Sequence, residues 1–356
     1  MKLVRHLARL IIALVVLAGA GSETFAQHRA IAVAAAEPAL GVNVLRDDGR
    51  VISFTMLDEV EGPVLIPGLE RIVAITPRMA LREDGVVLTW EPSCDGTGAP
   101  AASCDFFENT HEVRGLHDVV AISEANRLRL ALDRNGAVWG WGNDEDGLIS
   151  GLPPLDRQKK HKARIVEKPT RIPLPVPMAK ISAGYVQAGA IDRDGHVWTW
   201  GGDRFPADKA QGERFVLPNG LVAIRVDGLS TAASLDMSSS PYVLTKAGEI
   251  WRWGGFEGAT GNVDTSMPIR VSGVDEATAV SQGNNFVAIL TKDGSVLYIG
   301  SAPDDRNFAS SPKPRATRPL PAAIAISGAA RIMNNGAAVH FLVHRPGVPK
   351  SLDLGQ

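Results

Sequence analysis

Short runs of alternating apolar and polar residues, each interrupted by a turn signal, recur along the whole chain. The signal is a dipeptide ending in glycine: Asp48-Gly49, Asp84-Gly85, Asn135-Gly136, Asp194-Gly195, Ala247-Gly248 and Asp293-Gly294, with a degenerate seventh copy at Pro346-Gly347. Four positions before each glycine stands an aliphatic residue: Leu45, Leu81, Leu132, Ile191, Leu244, Leu290 and Val343. The third and fifth residues after the first six are large and apolar: Ile52 and Phe54, Leu88 and Trp90, Trp139 and Trp141, Trp198 and Trp200, Trp251 and Trp253, Leu297 and Ile299. Asp-Gly and Asn-Gly favour two-residue hairpins, whose central positions both need positive φ. Each dipeptide therefore predicts a pair of antiparallel strands.

Residues two apart lie on one face of a strand, so each large apolar pair predicts a stripe pressed against a neighbouring sheet. All seven tryptophans of the chain fall in these slots. Upstream of the hairpins further apolar segments recur, as in Ala30-Ile31-Ala32-Val33, Ile72-Val73-Ala74-Ile75, Val119-Val120-Ala121-Ile122, Lys180-Ile181-Ser182-Ala183-Gly184 and Ala325-Ile326-Ser327-Gly328. A repeat thus holds enough strands for a small sheet. Such sheets cannot bury both faces alone, and radial stacking buries them while leaving short, protected edges. The expected fold is all-β, a β-propeller of about seven four-stranded blades filling residues 27–356 as one domain.

The run Leu130-Ala-Leu-Asp-Arg-Asn-Gly-Ala-Val-Trp-Gly-Trp-Gly-Asn-Asp-Glu-Asp-Gly-Leu148 resembles the signature of regulator of chromosome condensation repeats, and similar runs end in Trp198-Thr-Trp-Gly-Gly202 and Trp251-Arg-Trp-Gly-Gly255. The resemblance covers residues 30 to 347 and implies a seven-bladed propeller. It departs from the family where an Ala-Gly-x-x-His stretch is usual: Ala183-Gly184 and Gln282-Gly283 remain, with Gln187 and Phe286 near the histidine position. Eukaryotic relatives act as exchange factors for a small GTPase, and some secreted bacterial relatives inhibit β-lactamases. What the resemblance implies is therefore a protein-binding role.

Composition places the chain among turn-rich globular proteins, with 45% hydrophobic and 21% charged residues in 356. The first residues predict export. Lys2, Arg5 and Arg9 form a positive segment and Leu10 to Ala20 an apolar one, with small residues before cleavage points after Ala20 or Ala26. The apolar run is too short to cross a bilayer core of about 30 Å, so no membrane insertion is expected after cleavage. Residues 1–26 are read as a signal peptide and the mature chain as periplasmic or secreted. Removing them takes away Lys2, Arg5, Arg9 and Glu23, which moves the formal charge from −2 to −4. That balance disfavours nucleic acid as a partner. Exchange on a cytoplasmic GTPase is disfavoured by the same export signal.

Cys94 and Cys104 bracket a turn-rich segment, and in an oxidising compartment they are expected to form a disulfide. Closing that loop would contribute roughly 2.5–3 kcal/mol. Two thiols without a third ligand argue against a metal. His340 and His344 lie on a predicted strand, where positions four apart are about 13 Å distant. His28, His111, His117, His161 and His196 show no ligand or triad spacing. No Gly-x-Ser-x-Gly, His-Glu-x-x-His or phosphate-cradling loop occurs. No metal, cofactor or catalytic residue is therefore assigned.

The basic run from Arg157 to Arg164 lies in the longest interval between turns and suits an acidic partner, or simply water. The expected function is an exported, non-catalytic scaffold that presents propeller loops to an extracytoplasmic protein, in one form as an enzyme inhibitor. The candidate contacts lie in loops after the tryptophan strands: Asn143, Asp144, Asp203, Arg204, Phe205, Phe256, Asp304 and Arg306. The alternative is an enzyme or carbohydrate-binding protein with its site at the mouth of the central channel.

Overall fold

In the computed structural model the described residues are 30–35, 42–54, 64–90, 110–156, 158–201, 212–238, 240–253, 267–282, 286–301, 310–316, 323–329 and 338–343. Residues 1–26, read above as a signal peptide, Cys94 and Cys104, and the loop residues Asp203, Arg204, Phe205, Phe256, Asp304 and Arg306 lie outside them. Among the described residues no helix is long and apolar enough to cross a membrane.

Every regular element among the described residues is a strand. Blade 1 is β1 (Ala30–Ala35), β2 (Val42–Arg46), β3 (Val51–Phe54) and β4 (Val64–Leu65). Blade 2 is β5 (Ile72–Ile75), β6 (Met79–Arg82), β7 (Val87–Thr89) and β8 (His111–Glu112). Blade 3 is β9 (Val119–Ala125), β10 (Leu128–Asp133), β11 (Val138–Asn143) and β12 (Ile165–Ile172). Blade 4 holds five strands, β13 (Met178–Ala183), β14 (Gln187–Asp192), β15 (Val197–Gly201), β16 (Gly212–Val216) and β17 (Val222–Val226), with β17 paired to β15 and β16 outermost. Blade 5 is β18 (Ala232–Asp236), β19 (Tyr242–Thr245), β20 (Ile250–Arg252) and β21 (Ile269–Arg270). Blade 6 is β22 (Ala277–Gln282), β23 (Phe286–Thr291), β24 (Val296–Ser301) and β25 (Ser310–Ala316). The last pair, β26 (Ala323–Ala329) and β27 (Ala338–Val343), forms a sheet of two strands.

Six blades are therefore complete, where the turn signals and the family resemblance predicted about seven. Among the described residues the seventh repeat contributes the pair β26 and β27, and its turn signal Pro346-Gly347 lies outside them. The ring closes by packing: β26 lies against β22 and β23 on one side and β1 on the other, and β27 also meets β1. Among the described strands no sheet mixes the two ends of the chain.

The glycine turns join second and third strands as expected, but with a different geometry. In blade 3 the Gly136 amide donates to Asp133 O at 2.9 Å and the Asp133 amide to Ala137 O at 3.0 Å. That is a three-residue loop in which the glycine alone has positive φ, +89° at Gly136. The acid before glycine serves instead as an acceptor or donor within the turn. This relaxes the demand on that position and lets Ala247 occupy it in blade 5.

Packing between blades follows the predicted stripes. Trp198 and Trp200 of blade 4 join Leu128, Leu130, Leu132 and Val138 of blade 3 in one buried cluster. Trp141 joins Met79, Leu81 and Val87 of blade 2, Trp253 joins Ile191 and Val197 of blade 4, and Trp90 joins Leu45 and Val51 of blade 1. Each third strand thus covers the preceding blade. Burying a large side chain in this way contributes about 1.5–3 kcal/mol.

Candidate protein-interaction face

In a four-stranded meander the loop after the inner strand and the loop after the third strand open on the same face, opposite the glycine turns. On this face the blades are stitched by side chains. Asn43 Nδ2 of blade 1 donates to Pro77 O of blade 2 at 2.9 Å. Thr76 Oγ1 donates to Glu124 of blade 3 at 2.7 Å, Ser123 Oγ accepts from Ala183 N of blade 4 at 2.9 Å, and Ser182 Oγ accepts from Met237 N of blade 5 at 3.0 Å. Between blades 5 and 6, Asp236 Oδ2 accepts from Gln282 N at 2.9 Å while Gln282 Nε2 donates to Asp236 O and Ser240 O. Burial pushes the Asp236 carboxyl above its ordinary value, against the bonds from Ser238 and Gln282 that favour its charge. Gln282, one of the family's departures from glycine-histidine chemistry, thus works as a clasp between blades.

The described loop that projects furthest along the sequence from this face runs from 144 to 164 in blade 3. Asp144 was expected among exposed contact residues. Its side chain is instead 0% exposed. Oδ1 accepts from Ile149 N at 2.8 Å, Oδ2 accepts from Ser150 Oγ at 2.5 Å, and Arg164 Nε sits 3.4 Å from Oδ2. Arg164 also donates to the carbonyls of Asp144, Glu145 and Pro153. The two residues therefore pin the start and end of the loop to each other, which is why the acid lies inside. Asn143 is half-buried, its Oδ1 accepting from Glu145 N at 3.0 Å.

Blade 4 braces the same loop. Leu148 and Ile149 are buried in the cluster that holds Trp198 and Trp200. Trp200 Nε1 donates to Leu148 O at 3.1 Å and Asn219 Nδ2 to Ile149 O at 3.0 Å. Gly147 and Gly151 carry positive φ, +70° and +76°, and a Cβ at either would meet a backbone carbonyl oxygen, of Leu152 or Asn219. Beyond this braced base, Lys159, Lys160, His161 and Lys162 are all exposed. Lys159 lies 3.5 Å from Asp156, and Leu152 and Ile165 leave about half their surface in water. The base was not legible as such, because an acid after a tryptophan strand reads as solvated until its five-residue reach to Ile149 is seen. The spacing Asp144 to Ser150, with Gly147 between, is the signal that marks it.

A second glycine repeat also escaped the sequence pattern. Gly68, Gly115, Gly228 and Gly273 sit in the connections from one blade to the next, with φ of +74°, +88°, +76° and +78°. Each follows Ile66, Val113, Val226 or Val271 by two and precedes Leu69, Leu116, Leu229 or Val274. Blade 3 leaves by the proline-rich Pro173-Leu-Pro-Val-Pro177 instead, which interrupts the period.

No protein-family model matches the chain. In sequence it is 24% identical over 296 residues to human Regulator of chromosome condensation, covering 72% of this chain and 69% of that protein. It is 22% identical over 280 residues to the Arabidopsis thaliana RCC1 domain-containing protein RUG3, covering 73% and 61%. The human E3 ubiquitin-protein ligase HERC2 is 25% identical over 190 residues, of which the chain spans only 4% of that protein's length. Among solved structures, Prp20p of Saccharomyces cerevisiae, described with its binding to Gsp1p and histones, superposes with a TM-score of 0.64 at 15% identity over 92% of this chain and 84% of its own. Yeast RCC1 bound to Kap60 superposes with a TM-score of 0.56 at 19% identity over 76% and 70%. The likeness to these structures is one of fold, a propeller built from four-stranded blades.

Proposed function

We propose that this protein is an exported, non-catalytic scaffold that holds an extracytoplasmic protein on the loop face, with the basic tip of the 144–164 loop seated against an acidic surface of the partner. The observation that carries this reading is the braced loop itself. Asp144, Arg164, Trp200 and Asn219 fix its base, so little ordering entropy remains to be lost on binding. Its tip concentrates Lys159, Lys160 and Lys162 around His161 with one nearby acid, Asp156. The relatives support the same class, since Prp20p is described as binding Gsp1p and histones and yeast RCC1 as bound to Kap60. Inhibition of an extracytoplasmic enzyme is one form that this activity would take.

The test is affinity co-purification of the full-length protein from its host under gentle crosslinking, with mass spectrometry of bound proteins and of the mature N-terminus. A stoichiometric extracytoplasmic protein is expected. Its affinity should fall at least tenfold when Lys159, Lys160 and Lys162 become Glu, and should fall as salt rises. Recovery of no protein, or binding indifferent to these changes and to Phe205→Ala and Phe256→Ala, would overturn the reading.

A further inference from the structure

On the opposite face, the hairpin turn of blade 4 differs from its five counterparts in the groups it gathers. Asp192, Asp194 and His196 place a carboxylate oxygen, a second carboxylate oxygen and an imidazole nitrogen within 4.8 Å of one another. His196 Nδ1 and Asp192 Oδ2 stand 3.1 Å apart. Two donors each bonded at about 2.0–2.2 Å to one ion would be separated by about 2.8–3.6 Å for angles from about 90° to tetrahedral, a range that includes this distance. His196 shows no ligand spacing in the sequence because a hairpin, rather than a helix, brings the three groups together.

Three features around the turn suit a cation. Asp192 Oδ2 also accepts from Trp198 Nε1 at 2.9 Å, which fixes the carboxylate in place. The side of His196 opens on a cavity of about 250 Å³ that Asp227, Leu229 and Ser230 also line. The two arginines nearby are committed elsewhere. Arg225, in the cavity wall, pairs with Glu213 at 2.7 Å, and Arg193 of the turn donates to Asn135 O of blade 3. His196 and Asp227 line this cavity, and Asp192 and Asp194 stand beside His196 in the turn.

We propose that this turn binds a divalent transition-metal ion of the zinc class through Asp192, Asp194 and His196, with the remaining coordination positions open to the cavity. Mixed imidazole and carboxylate donors suit zinc, cobalt or nickel rather than calcium or magnesium. Three protein ligands with open positions resemble an accessible site rather than a closed structural one. The binding surface is distinct from the loop face, so it stands or falls apart from the partner reading above.

Blade 3 supplies the control. Its turn has the same backbone, and Asp133 accepts from Asn135 N, Ala137 N and Trp139 Nε1 as Asp192 accepts from its own counterparts. Asn135 and Ala137 occupy the places of Asp194 and His196. The double variant Asp194→Asn/His196→Ala therefore copies a turn this protein already folds. Untagged full-length protein would be titrated with Zn2+ by calorimetry and with Co2+ by visible absorption, following thermal unfolding in parallel. The wild type should take up one ion with ligand-field bands, and the double variant and His196→Ala alone should bind at least 100-fold more weakly while unfolding at the unliganded wild-type temperature. Equal binding by wild type and variant, or no binding of either ion at millimolar concentration, would overturn the proposal.

Discussion

Glycine does two separate jobs in this chain, and single residues distinguish them. Gly115 and Gly136 have nearly the same φ, +88° and +89°. A Cβ on Gly115 would meet nothing within 4 Å, whereas on Gly136 it would meet Pro177 Cβ at 2.7 Å and Met178 O at 2.8 Å in the next blade. Gly115→Ala should therefore cost about 1 kcal/mol for the left-handed backbone alone. Gly136→Ala adds overpacking of about 1–3 kcal/mol. Urea unfolding of the two variants measures the difference, and equal losses would show that blade contact plays no part. Asp236 gives a residue-scale test of a different kind. Its carboxyl is raised in the folded state, so its contribution to stability is fullest below the ordinary carboxylate range and is lost as pH rises through the folded value. The stability of the wild type relative to Asp236→Asn should therefore decline as pH rises above the ordinary carboxylate range, by about 1.4 kcal/mol for each unit of elevation. A gap that stays flat or widens with pH would contradict the assignment.

The strand pairs and the tryptophan stripes were readable from the sequence because both depend on spacing within a dozen or so residues. A glycine that needs positive φ, a buried aliphatic residue four positions earlier and a two-residue alternation afterwards are all local constraints, and each holds in the first six repeats. What links neighbouring blades is spread over longer separations. Ser182 reaches Met237 and Asp236 reaches Gln282 through residue types that are common on surfaces, so nothing in the chain marks them beforehand. The same limit explains Asp144, whose role depends on Ile149 and Arg164, and His196, whose neighbours are ordinary turn acids. The hairpin type was misjudged because Asp-Gly fits both two- and three-residue loops, and only the backbone bonds decide between them.

The six blades and the half-formed seventh make a ring whose seam lies between β1 and the β26–β27 pair. The five junctions between successive blades 1 to 6 each carry a buried cluster of large side chains and hydrogen bonds on the loop face. Native-state hydrogen exchange should find amides of β1 opening at lower free energy than those of β14 and β15, which lie within the largest buried cluster. Uniform protection around the ring would show that the seam is as strong as any other junction. The seam also has a kinetic meaning. Neighbouring blades touch across intervals of the order of one repeat, but β1 and β26 are separated by almost the whole chain, and the entropy lost in closing a loop grows with its length. Blades can thus assemble in sequence as an open arc before the ends meet. An arc caught at that stage exposes two complementary flanks, and the flank of one molecule fits that of the next. Head-to-tail assembly into open chains is then the characteristic way for this ring to misfold.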